Sequence, residues 1–184
     1  MFEEVFIMNL ANKLTLFRVF LVPVFLFFML TDFIPGSRLI AFIVFLVATA
    51  TDKLDGTIAK KYDMVTNFGK FMDPIADKLL VCSALICLTA NGEIPVWVTV
   101  IIIAREFAVS GIRLVASDNG VTIAASWWGK SKTVSQMAMI IVILANISCL
   151  SVVQTVLVYA SVILTVISAV DYIIKNKKAI SFDK

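Results

Sequence analysis

Residues 39–90 read LIAFIVFLVATATDKLDGTIAKKYDMVTNFGKFMDPIADKLLVCSALICLTA, and this stretch decides the fold of the 184-residue chain. It begins and ends with apolar runs, at 39–50 and 79–90. Each run is shorter than the roughly 20 residues that a helix needs to cross a bilayer core. The polar residues between them can extend both runs as helices beyond the hydrocarbon. We therefore predict two membrane spans, at 38–61 and 69–90.

The composition of the whole chain predicts an integral membrane protein. Hydrophobic residues make up 60% of the chain and charged residues 16%, and the mean hydropathy is +0.98, which exceeds what a soluble domain needs. Four further apolar stretches predict spans at 14–31, 94–116, 126–147 and 152–174. The result is an all-α protein of six transmembrane helices that occupies residues 1–184 as one membrane domain. Residues 1–11 lack a basic region typical of a signal peptide, and their apolar spacing predicts a short interfacial helix.

The basic residues predict the orientation of these spans. An even number of spans places both termini on one side, and cytoplasmic segments are enriched in lysine and arginine. Arg38 is the one basic residue on the side opposite the termini. The other fifteen fall on the terminal side: Lys13, Arg18, Lys53, Lys60, Lys61, Lys70, Lys78, Arg105, Arg113, Lys130, Lys132, Lys175, Lys177, Lys178 and Lys184. Both termini should therefore face the cytoplasm.

Several kinds of chemistry are excluded or disfavoured by the residues present. The chain contains no histidine, so a histidine base, metal ligand or pH switch is excluded. Its cysteines, Cys82, Cys87 and Cys149, lie in apolar stretches without metal-ligand spacing, and we expect buried, inert thiols.

Four carboxylates lie where a membrane protein should avoid them. Asp52 and Asp55 are three residues apart, and Asp73 and Asp77 are four apart, so each pair shares one helix face. An acid at the centre of a span costs about 2.5–3.5 kcal/mol, so these groups need cationic partners. Neighbouring lysines could pair with them as a solvated face. Because carboxylate sites suit hard divalent cations, we predict instead a site for two metal ions that binds phosphate.

These residues also match a known family. The pattern Asp52-x-x-Asp55-Gly56-x-x-Ala59-Lys60-x₈-Gly69-x₃-Asp73-x₃-Asp77 resembles the signature of the CDP-alcohol phosphatidyltransferases, which has arginine at the position of Lys60. Lysine keeps the charge but not the two-pronged donor geometry of a guanidinium. Segments around Asn12–Arg18, 66–70, 104–113 and 129–133 are similar to the bacterial phosphatidylglycerophosphate synthase subfamily.

The resemblance implies a reaction and a set of site residues. The reaction joins CDP-diacylglycerol to sn-glycerol 3-phosphate and gives phosphatidylglycerol phosphate and CMP. The implied metal ligands for two Mg²⁺ or Mn²⁺ ions are Asp52, Asp55, Asp73 and Asp77, with Asp77 also the candidate general base. The implied CDP-diacylglycerol site contains Asn12, Thr15, Arg18, Asp55, Gly56, Ala59, Lys60 and Gly69. The implied acceptor-phosphate site contains Arg105, Arg113, Lys130 and Lys132.

The resemblance also implies a homodimer that lies in a bacterial cell membrane in contact with membrane lipids. The active site is expected to face the cytoplasm, and no nucleic-acid partner is expected.

Several of these basic and polar residues have simpler explanations. Arg105 could be neutralised by Glu106 or by an aspartate, and Arg113 could extend its side chain to the interface. Lys130 and Lys132 could be ordinary flanking charges. Asn12 could cap the first helix.

Other functions stay open at this point. Another acceptor, such as serine, inositol phosphate or a lipid, would use the same metal site, although the basic residues favour a phosphorylated one. A divalent-cation transporter would need polar groups toward the far side, where we find mainly Asp32 and Glu93. A membrane prenyltransferase would have two widely separated acidic motifs and more spans.

Overall fold

The described residues of the protein form six α-helices in a computed structural model. The structure describes residues 10–31, 33–61, 67–118, 123 and 126–176, with the backbone alone at 10–13, 52–61, 67–74, 77, 117 and 118. The helices are α1 (Leu10–Met29), α2 (Ser37–Lys61), α3 (Asn67–Ala90), α4 (Val96–Asp118), α5 (Trp127–Ala145) and α6 (Ser151–Lys175). A short 3₁₀ helix, Ser148–Leu150, precedes α6.

The helical prediction is confirmed for all six segments. The bounds of α2 to α6 differ from the predicted spans by at most two residues, whereas α1 begins four residues earlier than predicted. Within the described residues, one helical segment, Ser148–Lys175, is long and apolar enough to cross a membrane, with a mean hydropathy of 2.2. The predicted interfacial helix at 1–11 falls almost entirely outside the described residues.

The chain divides into two compact units, residues 1–87 and 88–184. In the first unit, α1 packs against α2. The rings of Phe25 and Phe45 are fully buried, with centroids 5.9 Å apart. Ala41 and Ala48 are buried on the same face of α2 as Phe45, one turn to either side, and small residues there let the helix backbones approach. The connection from α1 to α2 turns at Gly36, whose φ of 78° is a left-handed conformation that favours glycine.

In the second unit, α6 packs against both α4 and α5. The turn before α4 is closed by Gly92, with φ of 73°, and by a 2.5 Å hydrogen bond between the hydroxyls of Thr89 and Thr99. Helix α5 begins at Ser126, whose hydroxyl accepts a 3.1 Å hydrogen bond from the backbone N–H of Gly129, and it ends at Asn146 in the left-handed conformation. These are standard start and stop signals.

The faces of α6 are inverted relative to a helix of a soluble protein. The buried residues are mainly polar or carry a polar group: Val158, Ser161, Thr165, Ser168 and Tyr172. The exposed large residues are apolar, with one tyrosine: Val152, Val153, Val156, Tyr159, Ile163, Val166, Ile167, Val170, Ile173 and Ile174. Polar groups between helices and apolar groups outside are typical of helices in lipid.

The prediction of buried cysteines is only partly correct. Cys87 is buried and Cys82 is intermediate, but Cys149 is exposed. Cys149 lies in the 3₁₀ helix between α5 and α6, where the chain turns from one helix to the next. The expectation of a buried thiol was therefore wrong for Cys149.

Candidate active site

The four aspartates all lie on helical backbone, as predicted. Asp52 and Asp55 belong to the last ten residues of α2, and Asp73 and Asp77 to the first half of α3. Residues three or four apart on a regular helix share one face, so the backbone places the two members of each pair on one face of their helix. Their side chains lie outside the described residues, as do those of Lys60 and Ala59 and the surroundings of Gly56 and Gly69.

This donor set fits a hard divalent cation in its chemistry. Carboxylate oxygens are the ligands that Mg²⁺ and Mn²⁺ prefer, and paired acids on regular helix can bind an ion together. Among the side chains that the structure describes, no three acidic or cysteine residues lie close enough to hold a metal ion. The acidic residues 52, 55, 73 and 77 therefore stay the predicted metal ligands.

Helix α1 carries two buried polar side chains on its inner face. Thr15 is 1% exposed and Arg18 is 0% exposed, on the same side of the helix as Val22 and Phe25. A buried guanidinium is stable when hydrogen-bond acceptors or a counter-charge lie next to it, so Arg18 marks a polar position inside the first unit. Asn12 is the third residue of α1, inside the helix, so it does not cap it.

The second unit contains a buried ionic cluster, formed by Arg105 and Glu106 of α4, Lys132 of α5 and Ser168 of α6. The Lys132 ammonium donates to Glu106 Oε1, and Arg105 Nη1 donates to the same oxygen at 3.3 Å. Arg105 Nη2 donates to the hydroxyl of Ser168. The side chains of Lys132, Arg105 and Glu106 are 2%, 12% and 18% exposed. Three helices thus meet at two cations that share one carboxylate.

The cluster explains how these charges are tolerated away from water. A buried ion pair is stable only when charge and hydrogen bonds both match. Glu106 supplies the counter-charge, which confirms the simpler explanation for Arg105. Among the side chains that the structure describes, the cluster thus joins two cations to one carboxylate, and cationic groups of this kind can bind anions.

The other two predicted acceptor residues are placed differently. Lys130 is exposed, because it lies two residues before Lys132 and so points to nearly the opposite side of α5. Arg113 is also exposed, and its guanidinium carbon lies 5.8 Å from the centroid of the Tyr172 ring. The structure therefore brings Arg105 and Lys132 together in the cluster. Arg113 lies beside α6, and Lys130 lies outside the cluster.

Sequence reasoning missed the contribution of α6. Ser161, Thr165, Ser168 and Tyr172 are spaced by four, three and four residues, which is the pattern of one helix face. Two residues of this polar stripe meet the arginines of α4: Ser168 contacts Arg105 and Tyr172 contacts Arg113. The stripe was visible in the sequence, but its contacts were not. Gly129 was also overlooked as a contact, since a Cβ there would lie 3.8 Å from both Arg105 Nη2 and Ser168 Oγ.

Comparison with known proteins identifies relatives of the whole chain. The sequence model of the CDP-alcohol phosphatidyltransferase family matches residues 8–167, which includes helices of both units. The CDP-diacylglycerol–glycerol-3-phosphate 3-phosphatidyltransferase of Bacillus subtilis is 40% identical over 187 aligned positions, covering 94% of this chain and 97% of the relative.

Two further relatives carry related names. A probable phosphatidylglycerophosphate synthase of Mycobacterium tuberculosis is 46% identical over 173 aligned positions, covering 91% of this chain and 81% of the relative. A CDP-diacylglycerol–glycerol-3-phosphate 3-phosphatidyltransferase of Rickettsia bellii is 38% identical, covering 92% of this chain and 96% of the relative.

Proposed function

Since this chain belongs to the CDP-alcohol phosphatidyltransferase family, we propose that it transfers the phosphatidyl group of CDP-diacylglycerol to sn-glycerol 3-phosphate. The products are phosphatidylglycerol phosphate and CMP, so the enzyme serves phosphatidylglycerol synthesis. The names of its relatives in three bacteria support this acceptor.

The observation that carries the choice of acceptor is the buried ionic cluster. Arg105 and Lys132 are largely removed from solvent and lie on either side of Glu106. Guanidinium and ammonium groups in this setting favour phosphate over an uncharged hydroxyl compound. A phosphorylated acceptor fits such a site better than serine does.

The donor site is proposed at the acidic pairs and α1. Two Mg²⁺ or Mn²⁺ ions held by the aspartates 52, 55, 73 and 77 would neutralise charge on the diphosphate. Thr15 and Arg18, both buried on α1, would border the diphosphate together with residues 12, 56, 59, 60 and 69. An arginine is suited to this position because its planar donors match phosphate oxygens.

The chemical step requires a base on the acceptor side. Asp77 would take the proton from the free hydroxyl of glycerol 3-phosphate. The hydroxyl oxygen then forms a bond to the phosphatidyl phosphorus, and the bond from that phosphorus to CMP breaks. CMP leaves with the electron pair. Arg105 and Lys132 would bind the acceptor's own phosphate and so restrict its motion.

We further propose that the six helices are six spans of a bacterial cell membrane, with both termini and the active site on the cytoplasmic side. The apolar length of Ser148–Lys175, the inverted faces of α6 and the basic asymmetry of the sequence support this arrangement. Membrane lipids would then surround the protein and admit the acyl chains of the donor. A homodimer is expected from the family resemblance.

The reaction is tested by CMP release from detergent-purified protein given CDP-diacylglycerol and Mg²⁺. Glycerol 3-phosphate, inositol phosphate and serine are supplied in separate reactions. We expect release with glycerol 3-phosphate alone, lost on adding EDTA and in Asp73→Asn. Asp63→Asn, a carboxylate in the same segment but outside the acidic pairs, is the matched control and should stay active. Release with another acceptor instead would refute the proposed substrate.

A further inference from the structure

The last two turns of α6 bring polar side chains to the arginines of α4. Ser168 and Tyr172 are one helical turn apart, and they are 0% and 2% exposed. Both lie just beyond residues 8–167, where the family model matches. The preceding polar residues of the same face are engaged elsewhere: the Ser161 hydroxyl pairs with that of Ser135 at 3.1 Å, and Thr165 donates to the Ser161 carbonyl at 2.6 Å.

Ser168 determines the orientation of the Arg105 guanidinium. That group is planar, so contacts at two of its nitrogens fix its rotation. Nη1 is held by Glu106 at 3.3 Å and Nη2 by the Ser168 hydroxyl. Glu106 alone would leave the plane free to turn about one contact. Arg105 therefore depends on α6 for its direction as well as on α4 for its position.

Tyr172 is placed beside the second arginine. Its ring centroid lies 5.8 Å from the Arg113 guanidinium carbon, within the range of a cation–π contact. Arg105 and Arg113 are eight residues apart, or about 12 Å along α4. Their partners Ser168 and Tyr172 are only four residues apart, or about 6 Å along α6. Two neighbouring turns of α6 therefore contact both arginines of α4.

Two buried donors near these contacts have no hydrogen-bond partner among the described residues: Arg105 Nε and the Tyr172 hydroxyl. A buried donor left without an acceptor costs about 1–3 kcal/mol, so such groups in a binding site indicate a missing ligand. An arginine nitrogen can only donate, and a tyrosine hydroxyl can donate. A group rich in acceptor oxygens, such as a phosphate, satisfies donors of this kind, whereas Asp171 Oδ2, which also has no partner among the described residues, needs a donor.

We propose that Ser168 and Tyr172 complete the acceptor-phosphate site, with Ser168 as the positioning residue of Arg105 and Tyr172 as a binding residue whose hydroxyl donates to the phosphate beside Arg113. This inference rests on the proposed function, because it takes glycerol 3-phosphate as the acceptor. It adds α6 to a site that the sequence motifs confined to α4 and α5.

The test is steady-state kinetics of Ser168→Ala and Tyr172→Phe, with KM measured separately for glycerol 3-phosphate and for CDP-diacylglycerol. Loss of a hydrogen bond to a charged group should raise the KM for glycerol 3-phosphate about tenfold in each variant. The KM for CDP-diacylglycerol should stay within about twofold, since the donor binds elsewhere. A general loss of folded protein would lower the apparent kcat and leave both KM values unchanged.

Two variants on the same helix are matched controls. Ser161→Ala removes an equally buried hydroxyl that contacts Ser135 and not an arginine. Tyr159→Phe removes a hydroxyl from an exposed tyrosine near the other end of α6. Both should keep the wild-type KM for glycerol 3-phosphate. If Ser168→Ala does not fold, Ser168→Cys replaces the hydroxyl by a weakly accepting thiol of similar size, and the same rise is expected.

Several outcomes would overturn the inference. A KM for glycerol 3-phosphate within about twofold of wild type in Ser168→Ala and Tyr172→Phe would remove both roles. An equal rise in Ser161→Ala, or a parallel rise in both KM values, would show that the helix merely packs. These results leave the proposed function intact, because that function is judged on the wild-type enzyme. If the wild-type enzyme releases no CMP in response to glycerol 3-phosphate, both the proposed function and this inference are refuted.

Discussion

At the scale of single residues, one carboxylate of the second unit pairs with two largely buried cations. Glu106 contacts both Arg105 and Lys132, and Lys132 is 2% exposed. Ion pairs of this kind contribute little net stability when intact, yet removing one partner leaves a buried charge without compensation. Glu106 therefore supplies the negative charge that stabilises these two cations inside the folded protein before an anionic ligand binds.

We predict that Glu106→Gln destabilises the protein by about 2–4 kcal/mol, since it removes the carboxylate that Lys132 and Arg105 share. The measurement is thermal unfolding in detergent. Glycerol 3-phosphate should raise the melting temperature of Glu106→Gln more than that of the wild type, because its phosphate replaces the lost charge.

The control for this variant is Asp171→Asn. Asp171 is about as buried as Glu106, at 16% against 18% exposed, but its partner Lys175, at 2.7 Å, is 62% exposed. Removing the charge of Asp171 therefore leaves no buried cation behind, and we expect a loss of at most about 1 kcal/mol. A Glu106→Gln protein no less stable than Asp171→Asn would contradict the assigned role of the buried cluster.

Gly129 sets how closely α5 can approach the same cluster. An added Cβ would lie 3.5 Å from Ser126 Oγ and 3.8 Å from Arg105 Nη2 and Ser168 Oγ, which is ordinary contact distance. We predict that Gly129→Ala keeps the wild-type KM for glycerol 3-phosphate. The branched side chain in Gly129→Val should displace Arg105 or Ser168 and raise that KM about tenfold, as overpacking costs about 1–3 kcal/mol.

Gly111→Val serves as the comparison, because a Cβ at this exposed glycine of α4 meets nothing within 4 Å. Both glycines are helical, so the intrinsic helix propensity changes alike in the two variants. Equal kinetics of the two valine variants would mean that space around Gly129 does not matter to acceptor binding.

At the scale of helices, the sequence was sufficient to locate the six α-helices, whereas the 3₁₀ helix Ser148–Leu150 was not predicted. Long apolar runs determine where the helices lie, and turn residues such as Gly36 and Asn146 lie between the runs. Most helix bounds therefore agree with the predicted ones within two residues. The helical stretches around the acidic pairs were also predictable, because their spacing matches a helix face. The pairing of charges was not predictable, since it depends on which side chains meet across three helices.

The lysines of α5 illustrate this limit. Lys130 and Lys132 are equivalent in composition and differ by two positions, yet Lys132 is buried against Glu106 while Lys130 is exposed. Helical periodicity predicts that they point apart, but it does not say which of them faces α4. Ser168 was missed for the same reason: a serine in an apolar helix signals a contact without naming its partner.

The packing of α1 against α2 makes a further prediction at this scale. Phe45 is fully buried against Phe25, so Phe45→Ala should lower the free energy of unfolding by about 3–5 kcal/mol. Ile43→Ala, on the exposed side of α2, should change it by no more than about 0.5 kcal/mol. Unfolding in increasing denaturant, followed in detergent, measures both. Similar losses in the two variants would contradict this assignment of the buried face.

At the scale of the whole molecule, polar groups lie inside and apolar groups outside in the part of the second unit that surrounds α6. Glu106, Lys132, Ser161 and Ser168 are buried or nearly so, whereas many large exposed residues, such as Ile163 and Val170, are aliphatic. A water-soluble protein could not expose so many apolar side chains without aggregating. The same arrangement in lipid keeps the acyl chains outside and the charged headgroup chemistry within the protein.

The orientation of the chain in the membrane can be tested with a cysteine that it already contains. Cys149 is exposed in the turn between α5 and α6, and the proposed topology puts this turn on the outer side. We predict that a membrane-impermeant maleimide labels the wild-type protein in intact spheroplasts and that Cys149→Ser abolishes the labelling. Cys87 is buried and Cys82 only partly accessible, so neither should contribute appreciably.

The opposite end of α5 provides the internal comparison. Lys130 is exposed near the start of that helix, on the side assigned to the cytoplasm. In a Cys149→Ser background, Lys130→Cys should react only after the spheroplasts are permeabilised. The opposite pattern would contradict the proposed topology and indicate the inverted one. In that pattern, Lys130→Cys is labelled in intact spheroplasts and Cys149 of the wild-type protein is not. The inverted topology would then place the acceptor site on the outer side, away from cytoplasmic glycerol 3-phosphate, so this measurement tests the fold and the proposed reaction at once.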